Sequence, residues 1–374
     1  MNHFLLVLSI LALNIAVSEW LVRNSFLRHF GTALLVILIT AVEANLGIIP
    51  SASDKFPLYG DIFEYIAPMA LFYLLLGVSF RSLRQAGGPM ISIFFIGSLG
   101  TILGVAAATF LVDLSSKVEL APALSGMFAG TYTGGSINFN AIALHYEVMK
   151  EGNLYAGSVA VDNILTAIWM IATIAIPKMM AGGKNATLNI EENGVMDQQD
   201  SEVVNPSGIA ILLILAPAVI WSSNSLSEII SVPSILIVTT IALCLAQFSA
   251  VQEIGGSRSF GLIGVYLFLA VIGAYCDLES LGKIGELAIV LLAFASIIVA
   301  IHGLVTFSLG VWLFKDWDLA AVASQANVGG STSALALAKS VGRQDLILPG
   351  ILVGALGNGV GTYLGFLMVA LLGG

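Results

Sequence analysis

The side chains able to do chemistry in this 374-residue chain gather in two short phrases and one acidic pair. Gly130-Thr131-Tyr132-Thr133-Gly134-Gly135-Ser136-Ile137-Asn138 lies in the first half, and Gln325-Ala326-Asn327-Val328-Gly329-Gly330-Ser331-Thr332-Ser333 in the second. An offset of 195 sets Gly134 on Gly329, Gly135 on Gly330 and Ser136 on Ser331, and without a gap also Asn163 on Asn358. Asp162-Asn163 sits deep in the apolar run 154–177. These groups are hydroxyls, carboxamides and a carboxylate, types that coordinate a cation or hydrogen-bond a solute. The four histidines are scattered without HxxxH or HExxH spacing, and Cys244 and Cys276 stand apart in apolar segments. Neither a metal site nor a disulfide framework is indicated.

Both phrases lie inside long apolar stretches. A Gly costs about 1 kcal/mol relative to Ala inside a helix, so a Gly-Gly pair marks a break. The backbone groups freed there are unpaired in lipid, and such a break survives only buried in protein or lining a polar cavity. Matching interruptions in two halves of a chain point to a transporter's binding site. Unwound carbonyls suit Na⁺, and the N-terminal end of the next half-helix suits an anion. Close helix–helix contact through small residues is the competing explanation. The crowd of Ser, Thr, Asn and Gln around the breaks favours binding. The candidate site is therefore Gly134, Gly135, Ser136, Asn138, Asp162, Asn163, Asn327, Gly329, Gly330, Ser331, Thr332 and Asn358. A carboxylate as deep as Asp162 costs a few kcal/mol on insertion scales and usually faces a cavity, a proton path or a cation. His302, alone in its segment, reads as a bonded packing residue. Gly97, Gly100 and Gly104, with the series Gly350, Gly354, Gly357, Gly361 and Gly365, read as small faces that let helices approach.

The elements that must carry these residues are membrane helices. Hydrophobic residues make up 58% of the chain and charged ones 10%, where a soluble domain carries about 25%. Mean hydropathy is +0.98. The net charge of -9 reflects acidic loops and implies no nucleic-acid partner. The fold class is all-α and polytopic, and the lipid bilayer is the chain's environment. Apolar segments of spanning length fall near 4–22, 31–49, 62–80, 89–112, 120–149 and 154–177. They recur near 208–222, 232–249, 259–276, 285–313, 319–339 and 346–372. Met1-Asn2-His3 lacks the basic n-region of a signal peptide, so 4–22 reads as a first transmembrane helix with its N-terminus outside. Residues 1–177 form a first membrane repeat, 178–206 a polar cytoplasmic linker and 207–374 a second repeat.

Topology turns on the Gly-Gly segments. If each is a re-entrant hairpin, each half crosses five times and the halves are inverted. Cytoplasmic loops are enriched in Lys and Arg. In the hairpin arrangement only Lys55, Lys117, Lys150 and Lys283 lie outside, against ten basic residues inside. With all segments crossing, the split is eight against six. The charges favour the hairpins. A discontinuous helix that crosses fully, with another segment lying in the interface, is a third arrangement.

Thr133-Gly134-Gly135-Ser136-x-Asn138, the pair Asp162-Asn163 followed by Trp169, and Asn327-x-Gly329-Gly330 with the Gly-rich ending 350–365 together resemble a membrane family. Its members occur in bacteria and plant organelles and carry only a domain-of-unknown-function label. The resemblance covers nearly the whole chain. That family resembles, more distantly, the sodium–glutamate and 2-hydroxycarboxylate symporters. The likeness implies two inverted halves with Gly-Gly hairpins, an elevator motion and, by analogy, a homodimer. Unlike a carboxylate-clamping site, the helix after the second phrase has no Arg in its apolar part; Arg343 sits at its loop end. This argues against a dicarboxylate.

The expected function is secondary active transport of a small polar solute across the cell (inner) membrane. It is symport coupled to Na⁺ or H⁺ through Asp162, with no other cofactor and no enzymatic activity. An integral-membrane enzyme acting on lipid or peptide, or a channel, is the alternative. Gly182-Gly183-Lys184 lacks the upstream glycine spacing of an ATP-binding loop.

Overall fold

The computed structural model describes residues 3–25, 27, 31–51, 56–80, 82–180, 204–276 and 281–373. Most of the 178–206 linker, together with Arg28, Lys55, Arg81, Asp277 and Glu279, lies outside them. The described residues are helical throughout, as the runs of Leu, Ile, Val and Ala between Gly, Pro and polar punctuation require. Eight helices are long and apolar enough to cross a bilayer, and two shorter apolar ones, Gly31–Asn45 and Ser234–Leu245, join them. The protein is an all-α polytopic membrane protein.

The first half runs α1 (His3–Asn24), α2 (Gly31–Asn45), α3 (Pro57–Asp61), a π-helical turn (Ile62–Ile66), α4 (Ala67–Leu75), α5 (Gly88–Leu111), α6 (Ala121–Gly134), α7 (Ser136–His145) and α8 (Gly152–Met180). The second runs α9 (Pro206–Ile230), α10 (Ser234–Leu245), α11 (Ser249–Gln252), α12 (Ser257–Ala274), α13 (Leu281–Phe314), α14 (Trp317–Ser340) and α15 (Ile347–Leu371). The third segment of the first half starts earlier than its hydropathy suggests, because Pro57 at the first helical turn begins a helix there. The π-helical turn has a local cause. Pro68 has no N–H to return to the Glu64 carbonyl, and the Ala67 amide reaches back to the Ile62 carbonyl instead.

Two groups of helices pack side by side. In one, α12 packs on α2, α4 and α1, and α9 and α10 pack on α4. Asn14 of α1 donates to Thr40 and Glu43 of α2 at 3.1 and 2.6 Å, and Tyr73 of α4 donates to the Leu212 carbonyl of α9 at 3.1 Å. In the other, α5 packs on α13, α15 on α6, α7 and α14, and α14 on α8. The glycine face of α5 makes the first contact possible: a Cβ on Gly104 would stand 2.7 Å from the Ile298 carbonyl oxygen, and one on Gly100 3.1 Å from the His302 Cα. The seam between the groups includes the Thr240 hydroxyl of α10 against the Tyr363 hydroxyl of α15, 2.8 Å apart.

Both Gly-Gly segments fold back on themselves. In the first, Phe128 of α6 packs edge-to-face on Phe139 of α7, with ring centroids 6.0 Å apart. A Cβ on Gly130 would meet Asn138 and Ile142 at 3.0 Å. In the second, Arg343, just beyond the end of α14, bonds Asp316 at its start, 3.1 Å away. That segment enters and leaves at the same end of the molecule. Hairpin A is α6–α7 and hairpin B is α14; neither is a continuous crossing helix.

Candidate functional site

The turn of each hairpin is made by the second glycine of its pair. Gly135 has φ 101 and ψ -179, and Gly330 has φ 74 and ψ -168. Both fall in a backbone region that is essentially reserved for glycine. They are equivalent under the 195 offset, so the repeat read from the sequence is a repeat of backbone conformation. The two turns lie against each other: a Cβ on Gly135 would be 3.9 Å from the Gly330 Cα, and one on Gly330 would be 3.6 Å from the Gly134 carbonyl oxygen. The first glycines have another task. Gly134 is buried, and a Cβ on it would overlap the Gly357 backbone at 2.0 Å.

Helix α15 is the spine on which both turns are seated. Its glycines take hairpin B first, with Gly350 under Val322 and Ala334 and Gly354 under Ser331. They take hairpin A further on, with Gly357 under Gly134, Gly361 under Asn138 and Gly130, and Gly365 under Ile142 and Gly126. The packing read into this glycine series is therefore correct. Asn358, from the same helix, brings its Oδ1 within 3.8 Å of the Gly135 Cβ position. Asn163, its equivalent on α8, is half-buried and hydrogen-bonded or otherwise engaged.

The broken backbone is satisfied largely by side chains. Asn327 of hairpin B donates from Nδ2 to the Thr133 carbonyl of hairpin A at 3.1 Å and to Ser98 Oγ of α5 at 3.0 Å. Asn138 of hairpin A donates to the Gly357 carbonyl at 3.1 Å and accepts from the Thr362 hydroxyl at 2.8 Å. Asn138 and Asn327 thus stitch the hairpins to their surroundings. Ser136 and Thr332 are exposed at the turns, in the first residues of the returning arms, and Gly329 and Ser331 are half-buried beside them.

A second buried cluster lies between α5, α8, α13 and hairpin B. Trp169 Nε1 donates to Ser324 Oγ at 3.0 Å, and His302 Nε2 lies 2.9 Å from the same oxygen. The Gly97 carbonyl beside Nδ1 can only accept, so in the neutral ring Nε2 accepts from the serine hydroxyl and the proton sits on Nδ1. There it faces the Gly97 carbonyl at 2.9 Å and Thr101 Oγ1 at 3.0 Å, while Thr101 donates to the Tyr132 carbonyl at 2.8 Å. This network is complete around a neutral imidazole, in line with the reading of His302 as a bonded packing residue. Gly303 makes room for Trp169, whose ring would lie 2.1 Å from a Cβ there.

Among the described residues, some buried polar side-chain atoms have no hydrogen-bond partner by distance and angle. They are Asp162 Oδ1, Tyr132 Oη, Asn327 Oδ1 and Gln325 Nε2 around the turns, and the hydroxyls of Ser18 and Ser223 elsewhere. Tyr132 and Asn327 are equivalent under the 195 offset and precede the turning glycines Gly135 and Gly330 by the same three residues. Asp162 lies beside Tyr132 and Thr131 of hairpin A and near Tyr155, and Tyr155 donates to Asn140 Oδ1. A deep carboxylate, a phenol and two carboxamides thus leave polar atoms unspent where the hairpins meet. The expected residues Gly135, Gly330, Ser331, Asn358, Asn327 and Gly134 come together around the touching turns, and Asp162 sits against the arm leading to the first of them. Tyr132, Gln325, Ser98, Thr362 and the His302 cluster were not among the expected residues. Tyr132 and Gln325 lie within the quoted phrases; nothing in the sequence singles out Ser98 or Thr362.

A cavity of about 450 Å³ opens at the base of hairpin A, where the two helix groups part. Phe63, Glu64 and Pro68 of the π-helical region line one side, and His145, Glu147 and Lys150 line the other.

Fold and site together define a polytopic all-helical membrane protein whose two halves each carry a glycine-broken hairpin, the two turns in contact. The chain belongs to the DUF819 family, described as a protein of unknown function, whose model matches residues 6–373. It is similar to the uncharacterized membrane protein YjcL of Bacillus subtilis (strain 168), with 27% identity over 361 residues, covering 90% of this chain and 88% of that protein.

Proposed function

We propose that the protein is a secondary active transporter of a small polar solute, coupled to Na⁺ or H⁺. The observation that carries this reading is the meeting of two equivalent helix breaks beside unspent polar atoms, in a chain otherwise built for lipid. A backbone interruption in a membrane helix is tolerated where it is buried or lines a polar cavity, and facing interruptions at equivalent positions of two halves are how carriers build a midplane site. Ten crossing helices and two returning hairpins give five crossings per half, so the halves run in opposite senses across the cell membrane. The packing of α5–α8 and α13–α15 as one group against α1–α4 and α9–α12 supports an elevator-type motion at the seam. Asp162 is the coupling group: a carboxylate at this depth is costly unless it binds a cation or a proton.

The test is exchange in proteoliposomes loaded with a metabolite mixture, with the driving gradient varied. Uptake that is stimulated by trans solute and driven by a Na⁺ or pH gradient is expected. Asp162→Asn should abolish uphill accumulation. Flux that does not saturate and shows no trans-stimulation identifies a channel, and covalent conversion of the solute identifies an enzyme. Accumulation by Asp162→Asn equal to that of the parent protein under the same gradients would return Asp162 to a structural role.

A further inference from the structure

We propose that the cavity at the base of hairpin A is a binding site for a small organic cation, an ammonium that carries apolar substituents, and that its occupant bridges the two helix groups. Neither Gly135 nor Gly330 lines this cavity, so the site is distinct from the touching turns. It goes beyond the transport reading, and only its effect on exchange rests on that reading.

The first argument is position. The cavity holds about 450 Å³, within the about 300–1,000 Å³ of small-ligand sites. Its walls belong to both helix groups. Glu64 comes from the π-helical turn ahead of α4, Ile235 from the first turn of α10 and Tyr275 from the end of α12, while His145 and Glu147 stand opposite at the end of α7. This is the end of α15 on which hairpin A is seated, and the His145 ring lies 5.0 Å from that of Phe366. Beside the cavity the groups meet tightly: a Cβ on Gly152, at the start of α8, would stand 2.4 Å from the Tyr275 carbonyl carbon. Further along α10 and α15 they meet again, where a Cβ on Gly359 would lie 3.1 Å from Leu243. The cavity is thus a wedge between the groups, and a guest in it touches both.

The second argument is chemistry. The Lys150 ammonium lies 2.5 Å from the Glu147 carboxylate, so the charges of that wall answer each other. Glu64 lines the other wall, and among the described residues no Lys or Arg makes an ion pair with it. The Tyr65 hydroxyl bonds Glu64 but brings no charge. One negative charge is therefore left for a guest. Phe63 and Tyr275 line the cavity beside it and meet edge to face, with ring centroids 5.6 Å apart and planes at 70°. Two rings at that angle form a corner. Aromatic faces attract an ammonium through the ring quadrupole, and its alkyl groups gain apolar contact there. Pro68, Ile235 and Val238 add apolar wall. A hard metal ion takes about six oxygen ligands, and the described residues gather no set of His, Cys, Asp and Glu fit to hold one. An anion would meet Glu64 with the lining ammonium already engaged.

The experiment measures thermal unfolding of the purified full chain at about pH 8, where an ordinary histidine is neutral. The probes, at equal millimolar concentration, are benzyltrimethylammonium and choline as organic cations, 3,3-dimethylbutan-1-ol as the uncharged isostere of choline, benzoate as an anion, and NaCl and MgCl₂. At least one organic cation should raise the apparent unfolding temperature, since a ligand that binds only the folded state stabilises it. The isostere, benzoate and the two salts should not. Titrated with that cation, Glu64→Gln should bind several-fold more weakly and lose the salt dependence of the parent, and Tyr275→Leu should bind about two- to fivefold more weakly. If unliganded Glu64→Gln or Tyr275→Leu unfolds below the parent temperature, Phe63→Leu takes its place in the comparison. An equal shift with the isostere, benzoate or either salt overturns the proposal. So do cation binding that the variants retain in full and the absence of a shift with both cations. In proteoliposomes the bound cation should slow solute exchange without competing with the solute, because it ties the two groups together. Binding as described with exchange unslowed overturns the bridging role and leaves the site. If no solute exchanges at all, the transport reading falls and the binding results stand.

Discussion

At the scale of single residues, the two glycines of each phrase have different physical duties, and substitution separates them. Gly135 lies at φ 101, yet a Cβ there would find ordinary space, with 3.8 and 3.9 Å to its neighbours. Gly135→Ala should therefore incur only the backbone cost, about 1–3 kcal/mol for a side chain in that region. Gly134→Ala adds no φ strain, but its Cβ would stand 2.0 Å from the Gly357 backbone. Backbone cannot swing aside, so hairpin A must lift from α15, with a cost at or above the about 1–3 kcal/mol of ordinary overpacking. Thermal unfolding in detergent should rank Gly134→Ala as the more damaging of the two. The reverse order would contradict the seating of hairpin A on α15. Asn327→Ala should also destabilise by about 1–3 kcal/mol, because it strips a buried carbonyl, that of Thr133, of a donor.

At the scale of elements, hairpin B is closed at its base by charge. Arg343 bonds Asp316 at 3.1 Å and Asp345 at 2.7 Å and lies 3.5 Å from Asp318. Its side chain is 30% exposed, so water screens these pairs. Each exposed pair contributes about 0.2–1 kcal/mol, and Arg343→Gln should cost about 1 kcal/mol for the network. The guanidinium holds the Asp345 carboxyl below its ordinary value. A depressed carboxylate stabilises the fold above its unfolded value and loses that contribution as pH falls through the folded one. The difference in unfolding temperature between the parent and Arg343→Gln should thus be full at neutral pH and shrink below about pH 4, the ordinary carboxylate range. A difference independent of pH would show that Arg343 acts by packing alone. The N-terminus of the same hairpin is capped by Asp316, whose carboxylate accepts from the Leu319 amide at 3.0 Å. Losing Asp316 therefore removes a cap as well as an ion pair.

At the scale of the whole molecule, the division into two helix groups makes a mechanical statement. Both hairpins are seated on α15 by backbone-close glycine contacts, so neither turn can swing away without unpacking that helix. Motion between sides must run along the seam, which α10 and α15 form in part. Cys244 of α10 lies beside Tyr363 of α15. Tyr363→Cys, bridged to native Cys244 by a short bifunctional thiol reagent, should stop exchange in proteoliposomes, and reductive release of a cleavable linker should restore it. The other thiol, Cys276, is buried and should not interfere. Full exchange in the bridged protein would show that the two groups need not slide past one another.

Much of this was already written in the chain. Long apolar runs with so few charges fixed a helical membrane protein, because backbone polar groups in lipid can be satisfied only within helices or closed barrels. The 195-residue repeat of Gly-Gly located the breaks, because two glycines in an apolar run have no packing role that a larger residue could not fill unless the backbone turns or approaches closely. Which glycine turns and which packs was not legible, since that depends on whether an α15 backbone lies alongside. The sequence also left open whether these segments cross or return, as hydropathy is blind to direction; the Arg343–Asp316 closure and the Phe128–Phe139 contact decide it. Tyr59 stands beside a loop in the sequence, yet it is 1% exposed and donates to the Pro50 carbonyl at 2.7 Å, a partner supplied by a loop that composition cannot place. The meeting of Tyr132 and Asp162 likewise belongs to the tertiary structure alone. A hydroxyl and a carboxylate thirty residues apart in sequence come together only when hairpin A is laid against α8.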